Sequence, residues 1–87
     1  MTATEAQEKI RHYLVKTLIR DDDIDLELEE PIFSSGLLDS FSVIQLMRYL
    51  EDEFEVRIEV SDVTIADFDT VKKIDALVAK LRARKLS

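Results

Sequence analysis

Asp39-Ser40-Phe41-Ser42-Val43-Ile44-Gln45-Leu46-Met47-Arg48-Tyr49-Leu50-Glu51-Asp52-Glu53-Phe54 is the stretch whose spacing decides the fold. Val43, Leu46, Met47, Leu50 and Phe54 recur at helical intervals, which predicts a helix from about Ser40 to Phe54 with one apolar face. Asp39 stands where an N-cap is wanted, because its carboxylate can accept from an amide of the first turn. Phe41, Ile44 and Arg48 fall off the apolar stripe. Two large apolar side chains are therefore expected on an outer helical face, beside a single cation.

The same periodicity continues on both sides. Upstream, Ile10, Tyr13, Leu14 and Leu18 predict a helix from about Thr4 to Ile19, opened by a Thr4–Gln7 capping box. It should stop near Arg20, since aspartates at 21, 22 and 23 oppose the negative C-terminal end of the helix dipole. Residues 21–38 read as a long acidic loop, with Pro31 excluding a continuous helix. Ile24, Leu26, Leu28, Ile32, Phe33, Leu37 and Leu38 interrupt its charge, so some of them should pin it to the core. Gly36 is expected to take a backbone conformation that other residues resist. Downstream, residues 55–60 alternate polar and apolar but have no partner strand, and read as an extended connection. Thr64–Phe68 could make one helical turn. Val71, Ile74, Leu77, Val78 and Leu81 predict a last helix from about Thr70 to Arg84. The expected architecture is all-α: one domain over residues 1–87, built as a small bundle of three main helices plus one short helix.

Composition narrows the function. There is no cysteine and one histidine, His12, so thiolate and multi-histidine metal sites are excluded. The polar start and the lack of a long apolar run point to a soluble, cytoplasmic protein without membrane insertion. The net charge of −7 is lopsided: twelve acidic residues and one basic residue, Arg48, lie between Asp21 and Glu55, a local −11 against +4 elsewhere. Such a field repels nucleic acid and favours basic protein surfaces.

Candidate chemistries can be taken in turn. Asp21, Asp23 and Asp25 match the first positions of an EF-hand loop, but Leu26 and Ile32 then stand where glycine and a bidentate glutamate are needed. Starting at Asp23 fails in the same way, so no EF-hand or other metal site is assigned, and weak surface cation binding by the acidic loop stays open. Ser40, Asp39 and His12 supply the residue types of a hydrolytic triad without a nucleophile elbow around Ser40, so no catalytic residue is assigned. The chain has one glycine, Gly36, which rules out a glycine-rich phosphate loop. What remains is a serine expected to be exposed at the mouth of a helix, after a long loop. An anionic phosphodiester on that hydroxyl would lie beside unpaired amides and the positive end of the dipole. On Asp39 and Ser40 alone, simple helix capping is the better explanation of the pair.

The wider context resembles a known family. Asp39-Ser40-Phe41 is similar to the Asp-Ser-Leu attachment motif of acyl and peptidyl carrier proteins. The likeness runs through the first helix, the acidic loop, Ile32-Phe33 before Ser34-Ser35-Gly36, the second helix ending in Leu50-Glu51-Asp52-Glu53-Phe54, and then Ile58, Phe68, Val71 and Ile74. This resemblance implies an acyl-carrier-protein-like fold and a non-catalytic role. A phosphopantetheinyl transferase, using coenzyme A and magnesium, would attach 4′-phosphopantetheine to Ser40, with Asp39 capping the helix beside it. An acyl or aminoacyl group would ride on the arm as a thioester, put there by a loading ligase and passed to acyl-transfer enzymes. Those partners would dock with basic surfaces on the outer face of the second helix, at Phe41, Ile44, Arg48, Glu51 and Asp52. The carrier is expected to act as a monomer. Phe41 and Arg48 depart from the fatty-acid carrier pattern. Together with Ile32-Phe33 and Leu37-Leu38, Phe41 brings the chain closer to D-alanyl carriers and other standalone carriers of specialised pathways. The competing expectation is an acidic helical interaction module without a prosthetic group.

Overall fold

The computed structural model describes residues 4–21 and 23–86, with side chains described as far as residue 84. The expected polar start at residues 1–3 and the middle aspartate of the run 21–23 lie outside the described residues.

The chain folds as three main helices joined by one long loop and one irregular connection, with no strand among the described residues. Helix α1 (Glu5–Tyr13) opens on the expected capping box: Thr4 Oγ accepts from the Gln7 amide, and the Gln7 side chain accepts from Thr4 N–H. Beyond Tyr13 the helix widens into a π-helical stretch, Leu14–Ile19, which the periodicity did not anticipate. In it, Leu14 is fully buried while Val15, Leu18 and Ile19 all pack against the core. Arg20 ends the helix in the left-handed region at φ 60°.

Helix α2 (Ser42–Phe54) buries Leu46, Met47 and Leu50 and half-buries Val43 and Phe54, the stripe expected from the sequence. Helix α3 (Val71–Leu86) buries Val71, Ile74 and Val78. The connection between them holds two short 3₁₀ turns, Val60–Asp62 and Ile65–Phe68, where one helical turn was expected. Val56, Ile58 and Phe68 anchor it in the core.

Helices α1 and α2 both pack on α3. Across the α1–α2 contact, Tyr13 and Tyr49 stack with ring centroids 3.9 Å apart and planes 9° from parallel. Each donates its hydroxyl to a backbone carbonyl of the other helix, Tyr13 to Gln45 and Tyr49 to Lys9, both at 3.3 Å. Burial raises the pKa of both phenols. Tyr49 is pushed up to about 12, first by desolvation and then by the neighbouring Glu53 charge.

The acidic loop is not a free linker. Leu26, Ile32 and Leu38 are buried in the same core as the helices, so its apolar residues do pin it down. Asp21, Asp23, Asp25, Glu27 and Glu29 are exposed, as solvation requires.

Candidate attachment site and docking face

Ser40 is exposed, in the turn that leads into α2. The helix begins two residues later than the periodicity suggested, because residues 39–41 close i→i+3 bonds first. Ser42, Val43 and Ile44 donate to the carbonyls of Asp39, Ser40 and Phe41 at 3.1, 3.3 and 3.4 Å. The N-cap position of α2 falls on Phe41, which makes no side-chain cap bond, so Asp39 closes the preceding turn instead of capping the helix itself as expected. Its Oδ1 accepts from the Ser42 amide at 3.1 Å and from the Ser42 hydroxyl at 3.2 Å.

That geometry corrects one expectation. The amides of Ser42, Val43 and Ile44 are already engaged, and the Asp39 carboxylate shares this end of the helix. An anion on Ser40 would therefore gain less from free amides than the sequence suggested. What the position offers instead is access.

The approach to Ser40 is built by the loop. Ile32 and Leu38 are buried, and Leu38 N–H donates to the Ile32 carbonyl at 3.0 Å, closing a tight excursion between them. Within it Gly36 sits at φ +84°, the left-handed conformation expected of it, and its amide donates to the Phe33 carbonyl at 3.1 Å. The Ser35 hydroxyl donates to the Pro31 carbonyl at 2.7 Å.

The loop is tied to the foot of α3 by a residue that sequence reading missed. Asp69 Oδ1 accepts from the amides of Phe33 and Ser34 at 2.8 and 2.9 Å, and Oδ2 accepts from the Ser34 hydroxyl at 2.7 Å. The Asp69 carbonyl accepts from Ile32 N–H at 2.7 Å. These bonds, led by that from the Ser34 amide, hold the carboxyl below its ordinary range. Nearby, Lys72 N–H donates to the Leu28 carbonyl at 2.9 Å.

Ser40 and Asp69 border a shared groove of about 530 Å³, whose other walls include Phe33, Leu38, Ile65 and Ala66. The groove is open, apolar on its flanks and acidic at both named carboxylates, Asp39 and Asp69. An exposed hydroxyl on such a rim fits a covalently attached flexible arm. It does not fit hydrolytic chemistry, since His12 is exposed on α1 and borders Asp25 and Leu26 instead. Among the described residues no three His, Cys, Asp or Glu side chains group closely enough to hold a metal ion. No described helix is long and apolar enough to cross a membrane.

The outer face of α2 carries Phe41 at 78% and Ile44 at 52% exposure, with Arg48 and Asp52 exposed further along. Glu51 is placed differently from the other residues expected on that face. It is only half exposed, and its Oε2 accepts from the Ile58 amide at 3.0 Å, tying α2 to the following connection.

These features define a class: a small helical bundle that presents an exposed serine at the entrance of its second helix, on an open rim. Comparison with known proteins then gives the family. Residues 8–80 match the family model described as phosphopantetheine attachment site. The chain is 35% identical to the D-alanyl carrier protein of Lactobacillus helveticus (strain DPC 4571) over 60 residues, 69% of this chain and 76% of that one. It is 33% identical to the D-alanyl carrier protein of Streptococcus sanguinis (strain SK36) over 69 residues, 79% and 86% of the two chains. With the D-alanyl carrier protein of Leuconostoc citreum (strain KM20) it shares 34% identity over 68 residues, 78% and 86% of the two chains. The chain belongs to the phosphopantetheine-binding carrier protein family, whose members are carriers rather than catalysts and whose prosthetic group is covalent 4′-phosphopantetheine.

Proposed function

We propose that this chain is one carrier unit that holds a small acyl or aminoacyl group on 4′-phosphopantetheine attached to Ser40, and delivers it to partner enzymes. The observation that carries this reading is the exposure of Ser40 in the turn entering α2, on the rim of an open groove. In the transfer, Ser40 Oγ forms a new P–O bond to the β-phosphate of coenzyme A. The pyrophosphate bond breaks, adenosine 3′,5′-bisphosphate leaves, and a phosphopantetheinyl transferase takes the hydroxyl proton. The arm supplies a terminal thiol, which this cysteine-free chain lacks, for holding cargo as a thioester.

The chain's own residues do the presenting. Asp39 fixes the turn that carries Ser40. Phe41 and Ile44 offer apolar surface beside it, and the acidic field draws in partners with basic docking faces. Arg48, inside that acidic face, disfavours a uniformly basic partner and favours one with an acidic group opposite it. The likeness to D-alanyl carrier proteins supports an aminoacyl cargo loaded by a ligase.

The test is intact mass. Incubation with a promiscuous phosphopantetheinyl transferase, coenzyme A and magnesium should add one phosphopantetheinyl unit to the wild type. Ser40→Ala should gain nothing and keep the helical circular-dichroism signal. An unmodified wild type that binds a basic protein in a salt-sensitive way would instead make it an interaction module.

A further inference from the structure

Ser40 is held by little of its own. It is exposed, and the described bond at its backbone is the one its carbonyl accepts from Val43. Its placement comes from its neighbours: buried Leu38 before it and the Asp39–Ser42 turn after it. Leu38 is in turn fixed through its amide on the Ile32 carbonyl, and Ile32 through its amide on the Asp69 carbonyl. Asp69 then takes the next two amides, Phe33 and Ser34, and the Ser34 hydroxyl on its carboxylate. The excursion 32–38 thus hangs from one residue at the foot of α3, 29 positions beyond Ser40. The same carboxylate borders the groove on which Ser40 opens.

These bonds lie at the rim, not in the core. Phe33 and Ser34 are half-buried and exposed, while Ile74 and Val78 carry the bundle's packing along α3. Removing the carboxylate would release Phe33 and Ser34, leaving Ile32 on the Asp69 carbonyl, without emptying any core position. Two amides and a hydroxyl converging on one side chain also favour the ionised form, consistent with its lowered pKa.

We propose that Asp69 is a positioning residue for Ser40: by pinning residues 32–34 to the foot of α3 it sets where the serine hydroxyl is offered to the enzyme that modifies it. This rests on the reading of Ser40 as the attachment site. It adds a residue far from the motif to the machinery that serves it.

The experiment is the steady-state kinetics of phosphopantetheine transfer, with this chain as the varied substrate of a promiscuous transferase and with excess coenzyme A. Asp69→Ala should lower kcat about tenfold, because small misplacement of a reacting atom is costly. Its KM should stay within about twofold of wild type, because the α2 face is untouched. Circular dichroism at the assay temperature should match wild type. Asp69→Asn keeps an oxygen for the Phe33 and Ser34 amides and should recover most of the rate. A folded Asp69→Ala with wild-type kcat overturns the proposal. So does a rate loss that only tracks the unfolded fraction, or an Asn variant no better than Ala. Should Asp69→Ala fail to fold, Ser34→Ala decides, since it removes only the hydroxyl bond. A fall in kcat of about threefold at unchanged KM supports the proposal, and an unchanged kcat overturns it. A wild type that takes up no phosphopantetheine sinks the Ser40 reading as well. A modified wild type with an unaffected Asp69→Ala sinks this inference alone.

Discussion

The waist of the bundle and the rim around Ser40 are held together by different physics. At the waist, Ile10, Leu14, Leu46, Leu50 and Ile74 are all fully buried, and no polar or charged side chain is buried among the described residues. Packing of side chains against α3 fixes the geometry there, and tolerates little. At the rim, Ile32 and Leu38 are buried in the core, and Phe33 and Leu37 are only partly buried against it. Position is set by hydrogen bonds to two aspartates, Asp39 and Asp69. Apolar burial is strong and non-directional, whereas a hydrogen bond to a carboxylate is weaker but places an atom to within a fraction of an ångström. The division lets the molecule keep a stable scaffold and still present one side chain in a defined direction.

Leu50→Ala tests the waist most severely. Leu50 is 0% exposed, so truncation should cost roughly 2–5 kcal/mol, through lost burial and the cavity left behind. That is comparable with the whole stability of a domain this small. Urea unfolding followed by circular dichroism should show a collapsed midpoint or no folded baseline. A cost below about 1 kcal/mol would mean the site refills, and the waist would then be less tightly packed than described.

Alkaline titration probes the waist next. The ordinary tyrosine value is 10.0, and Tyr49 in the folded chain stands at about 12. Between those values the unfolded chain sheds the proton while the folded chain keeps it. The stabilisation is therefore complete below pH 10.0 and is lost progressively as pH rises to about 12. The urea midpoint should fall over that interval, and Tyr49→Phe should flatten the slope. Tyr13, also raised by burial, should leave a residual slope in that variant. A slope unchanged by Tyr49→Phe would place the titrating group elsewhere.

The waist was the part most legible in the sequence; at the rim the Gly36 turn and the exposed Ser40 were legible, and the bonds to Asp69 were not. Spacing alone found Leu46, Met47 and Leu50 on α2 and Val71, Ile74 and Val78 on α3, because a helix writes its buried face every three or four residues. The Thr4–Gln7 box, which acts over three residues, was found too, while Asp39 was expected to cap α2 and closes the turn before it. Spacing could not find the Asp69 clamp, whose partners Phe33 and Ser34 are 36 and 35 positions away. Nothing in a local window signals such a bond. Glu51 shows the same limit. The family resemblance implied a docking role for it, while its bond to the Ile58 amide came only with the chain folded back. The π-helical stretch Leu14–Ile19 stayed hidden because its apolar residues also satisfy ordinary helical spacing.

Asp39→Ala gives the smallest effect on stability and the finest contrast between the two regions. The carboxylate accepts from the Ser42 amide and the Ser42 hydroxyl, both on the exposed side of the turn. Loss of a cap-like bond of this kind costs about 1 kcal/mol. The amide of Ser42 retains the Asp39 carbonyl as an acceptor, so the turn should loosen rather than open. The urea midpoint should fall slightly with an unchanged slope, well short of the fall in Leu50→Ala. Asp39→Asn keeps an oxygen for the Ser42 amide and should fall less than Ala. A cost for Asp39→Ala as large as that of Leu50→Ala would show that this cap supports the core. The rim and the waist would then be one cooperative structure instead of two differently built ones.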